Sequence, residues 1–189
     1  MPTDTREVLL EVATELLDAG GVEAVTLREV GKQAGVSHNA PYKHFASKEA
    51  LLAAIAAREL DRHVHTESVV RHRSANAALR SGLHGYIGWA LWHPNIFRLV
   101  FGAWSVESPE LAAAAQAAQE SLVALVVAGQ DAGTLPSGDP VRLASLVRSL
   151  AHGAADLCAA GHLSRTGKGH ADPQDLVDDL LKYLKAAAH

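Results

Sequence analysis

The segment from residue 26 to residue 48, TLREVGKQAGVSHNAPYKHFASK, constrains this chain most. Thr26 is a favourable N-cap and Glu29 follows three residues later, the spacing of a capping box that opens a helix. Gly35 ends that helix, because glycine tolerates the left-handed conformation of a helix C-terminus. Ser37 then offers an N-cap for a second helix. Two helices joined by a short turn that contains glycine form a helix-turn-helix unit.

The second helix of this unit is predicted to be polar and basic. In a helix-turn-helix protein that helix enters the major groove of DNA. Although the chain has a formal net charge of −4, residues 26 to 48 contain four basic residues and one acidic residue. The acidic residues of the first 20 positions lie in the preceding helix, so the positive charge is local. Placement of charge matters more than the total for binding nucleic acid.

Composition limits the class of protein. The 189 residues are 48% hydrophobic and 20% charged, which is typical of a globular chain rather than a disordered one. Cys158 is the single cysteine, so no intramolecular disulfide can form, which fits a reducing cytosol. The N-terminus lacks the pattern of a signal peptide, and no apolar run approaches the ~20 residues of a membrane span. We expect a cytoplasmic protein with no membrane partner.

Hydrophobic periodicity predicts helices throughout and no strand. An all-α fold of about nine helices follows, with a small N-terminal three-helix head and a larger helical body. The predicted helices 1 to 9 cover residues 3–19, 26–34, 37–44, 47–71, 77–93, 94–101, 108–131 and 139–161, and the segment from 173 onward. Gly20 and Gly21 are expected to end helix 1.

The motifs resemble the N-terminal domain of TetR-type transcriptional regulators over roughly residues 5 to 55. TLREVGKQAGVS followed by YKHFxSKEAL carries this resemblance. It implies a helix-turn-helix DNA-binding domain at residues 1–46 and a ligand-binding and dimerisation domain at residues 47–189. In the body, WxHPxxFRL and the AHG at residues 151–153 resemble the WHG-type C-terminal domain subgroup, although Ala151 stands where that subgroup has tryptophan.

The predicted DNA-binding residues are Thr26, Arg28, Ser37, His38, Asn39, Tyr42, Lys43, His44 and Lys48. The resemblance assigns Tyr42, His44 and Lys48 to phosphate groups, with Thr26 joining them. Phosphate contacts position a protein on the duplex, and contacts to base edges specify sequence. His38, Asn39 and Lys43 are the candidates for base edges, since asparagine suits adenine and lysine suits guanine.

Aromatic residues and histidines in the middle of the chain are candidates for a small-molecule site. We predict ligand binding by Trp89, His93, Phe97, Trp104 and His152. The competing interpretation is that these rings are ordinary core. The row of Gly82, Gly85 and Gly88 in predicted helix 5 suits close helix packing or room for a ligand, and the alternative is a weak helix that merely tolerates the glycines.

His63, His65 and His72 raise the question of a metal site. Residues two apart on a helix do not face each other, which favours a solvated polar helix end. The sequence therefore predicts neither a metal nor a cofactor.

The expected function is that of a sequence-specific regulator. The resemblance implies a homodimer through helices 8 and 9, double-stranded DNA with a pseudo-palindromic operator, and a small apolar effector that enters between helices 4 to 8 and releases a repressor. The alternative is a helical protein that binds a small molecule or a partner without specific DNA binding. An enzyme is not expected, because no nucleophile elbow, P-loop, HExxH or dinucleotide fingerprint occurs.

Overall fold

The computed structural model describes the backbone of residues 4–69 and 73–188, and the side chains of those ranges except residues 64–69. Within these residues the chain forms nine α-helices and no β-strand, which confirms the predicted all-α fold. The helices in chain order are α1 (Thr5–Ala24), α2 (Leu27–Gln33), α3 (Ala40–His44), α4 (Lys48–Val69), α5 (Ala75–Trp92), α6 (Pro94–Val100), α7 (Pro109–Asp131), α8 (Pro140–Ala159) and α9 (Pro173–Ala187).

Several helices begin at a residue whose side chain caps the helix. The Thr26 hydroxyl accepts a hydrogen bond from the Glu29 amide at 3.1 Å at the start of α2. The Asp139 carboxylate accepts from the Val141 amide at 2.9 Å at the start of α8. At α9, Asp172 and Asp175 form a capping box. Each cap satisfies an amide that has no partner inside its helix.

The end of α1 differs from the prediction. Gly21 has φ 70° and ψ −173°, so the chain bends at the expected place, yet helix resumes and α1 ends at Ala24. The cap residue Val25 is fully buried, and its amide bonds to the Val22 carbonyl at 3.2 Å. Burial of Val25 and this hydrogen bond hold a further turn that the glycine pair alone did not predict.

The start of α3 also differs. The prediction that Ser37 caps this helix is wrong, because α3 begins at Ala40 with Asn39 as its N-cap. A helix that began at Ser37 would need a hydrogen bond from the amide of residue 41 to the Ser37 carbonyl. Pro41 has no amide hydrogen, so that bond cannot form. The Ala40 amide bonds to the Ser37 carbonyl at 2.9 Å instead, which makes a turn.

The contacts divide the chain into two compact units. The head unit is Met1–Arg62 with His93–Gln116, and the body unit is His63–Trp92 with Ala117–His189. In the head unit α1 packs against α2, α3 and α6; in the body unit α5, α8 and α9 pack against one another. The body core comprises Leu79, Leu83, Ile87, Val126, Leu135, Ala144, Val147, Ala151, Val177 and Leu181. No polar or charged residue among those described is buried.

Helix α7 departs from one expectation. Of the described helices, it alone is long and apolar enough to cross a membrane, judged by length and composition. Its alanine-rich sequence explains this, although Glu120 lies in its middle. A single helix of this kind is weak support for a membrane span.

Candidate DNA interface and candidate ligand residues

The turn between α2 and α3 is built from backbone hydrogen bonds around one glycine. The Val36 amide bonds to the Gly31 carbonyl at 3.1 Å, and the Gly35 amide bonds to the Lys32 carbonyl at 3.2 Å. This is the hydrogen-bond pattern of the Schellman motif. Gly35 has φ +66°, a conformation that L side chains rarely adopt. The glycine therefore sets the direction in which the chain leaves α2.

Helix α3 packs closely on α2 through a proline. Pro41 is buried, and a Cβ placed on Gly31 would lie 2.8 Å from the Pro41 Cγ. The absent side chain at Gly31 thus makes room for the proline ring. Phe45, 3% exposed, closes the other end of α3. The short α3 is held by this packing, because five residues are too few to form a stable helix alone.

The predicted DNA-binding residues lie at the surface of this unit. Lys48 is half-buried and the other eight residues are exposed. The rings of His38 and Tyr42 stack with their centroids 5.9 Å apart, and the His38 Nδ1 lies 3.4 Å from the Asn39 Oδ1. Because α3 begins at Ala40, His38 and Asn39 belong to the preceding turn, whereas Tyr42, Lys43 and His44 lie on the helix.

This surface keeps its positive charge. Its one acidic residue, Glu29, pairs with Lys32 at 3.7 Å. Across the described part of the chain, Arg28, Lys43 and Lys48 form no ion pair with a carboxylate. Three cationic side chains are therefore available for an anionic partner.

Two acidic residues of α1, Glu7 and Glu11, pair with arginines of α4. Glu11 forms ion pairs with Arg58 at 3.4 Å and with Arg62 at 3.1 Å, both on α4. Arg58 also donates to the Leu10 carbonyl at 3.0 Å. Burial lowers the pKa of Arg58, and the neighbouring Arg62 lowers it further, while the adjacent carboxylates oppose this shift. The negative charge of Glu7 and Glu11 is thus engaged by α4 arginines within the head unit.

The body unit contains a hydrogen-bonded pair between α5 and α8. The Tyr86 hydroxyl lies 2.7 Å from the His152 Nδ1, and the His152 Nε2 lies 3.5 Å from the Asp156 carboxylate. Burial raises the pKa of Tyr86, so its hydroxyl stays protonated at neutral pH. The sequence did not connect Tyr86 with His152, because the two residues lie on different helices.

Trp89 lies beside the same pair. Its ring stacks on His63 with centroids 5.1 Å apart, and it meets Tyr86 edge to face at 6.4 Å. Burial lowers the pKa of His63, which favours a neutral imidazole. The metal question falls partly outside the structure, since the side chain of His65 and all of His72 lie beyond the described residues. Among the residues described, no group of three potential metal ligands occurs.

The other three predicted ligand residues lie in the head unit, where each has a structural contact. The His93 Nδ1 lies 2.7 Å from the Asp18 carboxylate. Phe97 is 4% exposed, and its ring centroid lies 4.8 Å from that of Phe101. The Trp104 indole donates to the Val100 carbonyl at 3.5 Å. These contacts favour a packing role for His93 and Phe97.

Comparison with known proteins agrees with this architecture. Residues 9–55 match the family described as bacterial regulatory proteins, tetR family, and residues 79–184 match the tetracyclin repressor-like C-terminal domain. The transcriptional activator FasR of Mycolicibacterium smegmatis is 30% identical over 124 residues, which are 64% of this chain and 57% of FasR. The class C tetracycline repressor of Escherichia coli is 41% identical over 66 residues, 35% of this chain and 30% of that repressor. The chain therefore spans less than two thirds of these relatives.

Solved structures share the fold over nearly the whole chain. A protein of unknown function from Rhodococcus sp. RHA1 has a TM-score of 0.81 and 28% identity, covering 97% of this chain and 95% of its own. A tetR-family regulatory protein from Rhodococcus RHA1 has a TM-score of 0.68 at 21% identity, with 98% and 97% covered.

A helix-turn-helix with a cationic surface, joined to a helical body, defines the class of DNA-binding regulators. The two family matches are more specific, and the chain belongs to the TetR family of bacterial regulators. The family and the matched relatives are transcriptional regulators, not enzymes. Regulators of this family bind DNA and small molecules and typically form dimers.

Proposed function

We propose that this chain is a dimeric, sequence-specific transcriptional repressor that binds a pseudo-palindromic operator and is released by a small apolar ligand. The observation that carries the proposal is the exposed surface of α3 and its preceding turn. Tyr42, Lys43 and His44 present a hydroxyl, an ammonium and an imidazole there, and no carboxylate pairs with Lys43 in the described chain. Such a surface suits the phosphates and base edges of DNA.

We assign the head residues the roles that the family resemblance implies. Tyr42, His44 and Lys48 bind phosphates. Thr26 contacts a phosphate through its backbone amide, because its hydroxyl already caps α2. Lys43 reaches a guanine from α3, while His38 and Asn39 approach base edges from the turn. Arg28 and Ser37 add polar contacts at the rim. Residues 1–46 act as the DNA-binding domain, although the compact head unit that contains them is larger.

Dimerisation through α8 and α9 is the second part of the proposal. Both helices expose large apolar side chains, with Leu146 at 52%, Leu157 at 49% and Tyr183 at 67% exposure. Leu146, Gly153 and Leu157 recur at helical spacing, which places them on one face of α8. A second copy that covers this apolar face would pair two heads, and two heads require two half-sites.

The ligand site is proposed in the body unit around Trp89 and His152. Tyr86 and His152 supply a polar pair next to the Trp89 ring, and a few polar groups among apolar walls are typical of small-molecule sites. Among proteins of similar fold, FadR of Bacillus subtilis was solved with stearoyl-CoA, and AibR with isovaleryl coenzyme A and operator DNA. We therefore propose molecules with an apolar acyl chain as the class of effector. A regulator of this kind acts in the cytoplasm.

Selection of bound sequences from a random duplex pool, at about physiological salt, tests the proposal. We expect a pseudo-palindrome with two half-sites, whose affinity falls steeply as salt rises. No enrichment from a folded, dimeric protein would favour the alternative, a module that binds a small molecule or partner without reading DNA. Genomic matches to the recovered sequence would name the regulated genes. Reporter output with and without the protein would separate a repressor from an activator.

A further inference from the structure

A cleft of about 420 Å³ lies in the head unit. None of its lining residues is among those proposed to bind DNA, and of the residues predicted to bind a ligand only Trp104 lines it. It is lined by the end of α1, the first turns of α4, and α6 with the segment that follows it. Leu52, Leu99 and Trp104 supply apolar walls. Its volume falls within the range of about 300–1,000 Å³ that small-molecule sites occupy.

Two side chains of opposite charge line this cleft without pairing. Arg98 of α6 and Glu49 of α4 are both exposed, and neither forms an ion pair within the described residues. Hydrogen bonds from its own backbone amide and from Ser47 lower the pKa of Glu49, so the carboxylate is ionised at neutral pH. The cleft therefore presents one fixed cation and one fixed anion.

A neutral polar group and a glycine complete the lining. The Asn95 Nδ2 donates to the Asp18 carbonyl at 2.9 Å, and its Oδ1 makes no hydrogen bond in the described chain. Gly21 has φ +70°, where a side chain would be strained, and a Cβ there would lie 3.7 Å from the Asn95 Oδ1. The bend in α1 thus leaves this side of the cleft open beside an available acceptor.

This combination selects a ligand class. A carboxylate suits the Arg98 guanidinium, an ammonium suits the Glu49 carboxylate and the Asn95 Oδ1, and an apolar group suits Leu52, Leu99 and Trp104. A simple monocarboxylate would add a second negative charge near Glu49 and bring no positive charge to balance it, and a simple amine would do the converse near Arg98. We propose that the cleft binds a small zwitterion with an apolar or aromatic side chain, such as an α-amino acid.

The test uses L-phenylalanine as the probe, titrated calorimetrically into the full chain without DNA. Phenylacetate lacks the ammonium and phenethylamine lacks the carboxylate, so these two molecules are matched controls. We expect L-phenylalanine to bind about tenfold or more tightly than either, because charge-assisted hydrogen bonds are the strong ones. Equal binding of all three, or no binding of L-phenylalanine up to its solubility, would overturn the proposal.

Variants assign each charge. Arg98→Gln should reduce the affinity for L-phenylalanine to that for phenethylamine, and Glu49→Gln should reduce it to that for phenylacetate. Arg142→Gln is the matched control, since Arg142 is an exposed arginine that lines a different cleft, in the body unit. Trp104→Phe keeps an aromatic wall where Trp104→Ala removes it. An effect of Arg142→Gln equal to that of Arg98→Gln would show non-specific binding and overturn the proposal.

The position of the cleft suggests regulation of the helix-turn-helix. Gly21 and Val22 lie just before α2, and Glu49 and Leu52 lie just after α3. A ligand in the cleft therefore touches the helices on both sides of the motif. This part rests on the proposed function, and we expect saturating L-phenylalanine to change operator affinity by about fivefold or more in the wild type but not in Arg98→Gln. Unchanged operator affinity with a bound ligand would overturn the regulatory role, whereas absence of any operator would overturn the proposed function instead.

Discussion

The α3 surface of the head and the α8–α9 surface of the body are similarly exposed but differ in chemistry. Tyr42 is 51% exposed on α3, close to the 52% of Leu146 on α8. Around Tyr42 the exposed neighbours are Lys43 and His44, whereas α8 and α9 expose Leu157 and Tyr183. An exposed cationic surface suits an anionic polymer, and an exposed apolar face suits another protein surface. The comparison shows that residue chemistry, more than exposure, separates the two proposed interfaces.

Charge reversal on α3 should have the largest effect. Lys43→Glu places a carboxylate where we propose a base contact, and operator affinity should fall by about tenfold to a hundredfold, with weaker discrimination at that base position. Fluorescence anisotropy with the selected duplex measures this. Lys168→Glu, at an exposed loop position, is the control of identical charge change. An equal loss in both variants would mean that net charge, rather than α3, drives binding.

The matching experiment on the body introduces charge into its apolar surface. Leu146→Glu should weaken dimerisation by about tenfold or more, because it removes an apolar contact and buries an unpaired charge. Val127→Glu is the control, since Val127 is an exposed apolar residue on α7, at 38% exposure. Sedimentation equilibrium would report both association constants. A dimer that tolerates Leu146→Glu would place the interface on another surface.

Substitution by alanine should change the free energy of unfolding in opposite directions at Gly31 and Gly88. Gly31→Ala forces a Cβ to within 2.8 Å of the Pro41 ring, and we expect a loss of about 1–3 kcal/mol of unfolding free energy. At Gly88 in α5 an added Cβ would meet no atom within 4 Å, so Gly88→Ala should gain up to about 1 kcal/mol from helix propensity. Thermal unfolding measures both. Destabilisation by Gly88→Ala would support the close-packing interpretation of the glycine row.

The smallest effects concern pH. Burial lowers the pKa of His63 in the folded body, so the unfolded chain binds the proton more readily. Stability from this residue should be present above its ordinary pKa of about 6.5 and be lost as pH falls through the lower folded value. Urea unfolding at several pH values would show a shallower loss in His63→Gln. An unchanged slope would mean that His63 remains solvated.

Asp175 titrates in a more acidic window. Hydrogen bonds from Arg165 and from the Asp172 amide lower its pKa to about 2. The contribution of Asp175 to the free energy of unfolding should be fully present above its ordinary pKa of about 3.8 and be lost as pH falls toward about 2. Asp175→Asn should remove this acid-dependent step while leaving the His63 window unchanged, which separates the two groups.

Prediction from sequence succeeded where the determinants are local. The capping residue Thr26, the turn at Gly35 and the apolar periodicity each act within a few residues, and the corresponding helices are observed. It failed at Ser37, although the reason was present in the sequence. Pro41 lacks the amide hydrogen that a helix capped by Ser37 would need, so the sequence already argued against this cap.

The predicted site residues show a different limit. The surface positions on residues 26–48 follow from the helix-turn-helix geometry, so their exposure could be expected. The five predicted ligand residues could not be sorted by sequence, because aromatic residues are common both in cores and in pockets. The burial of Phe97 and the contact of His93 with Asp18 depend on the packing of α1 against α6, which joins segments distant in the sequence.

The sequence by itself determined the all-α fold, the family and the location of the cationic segment, because helix periodicity, caps and turn glycines act over short distances along the chain. The tertiary structure decided that α1 carboxylates pair with Arg58 and Arg62, that Tyr86 meets His152, and that Glu49 and Arg98 line one cleft. The residues named together lie 47 or more positions apart in the chain and on different helices, and only the packing of those helices brings them together.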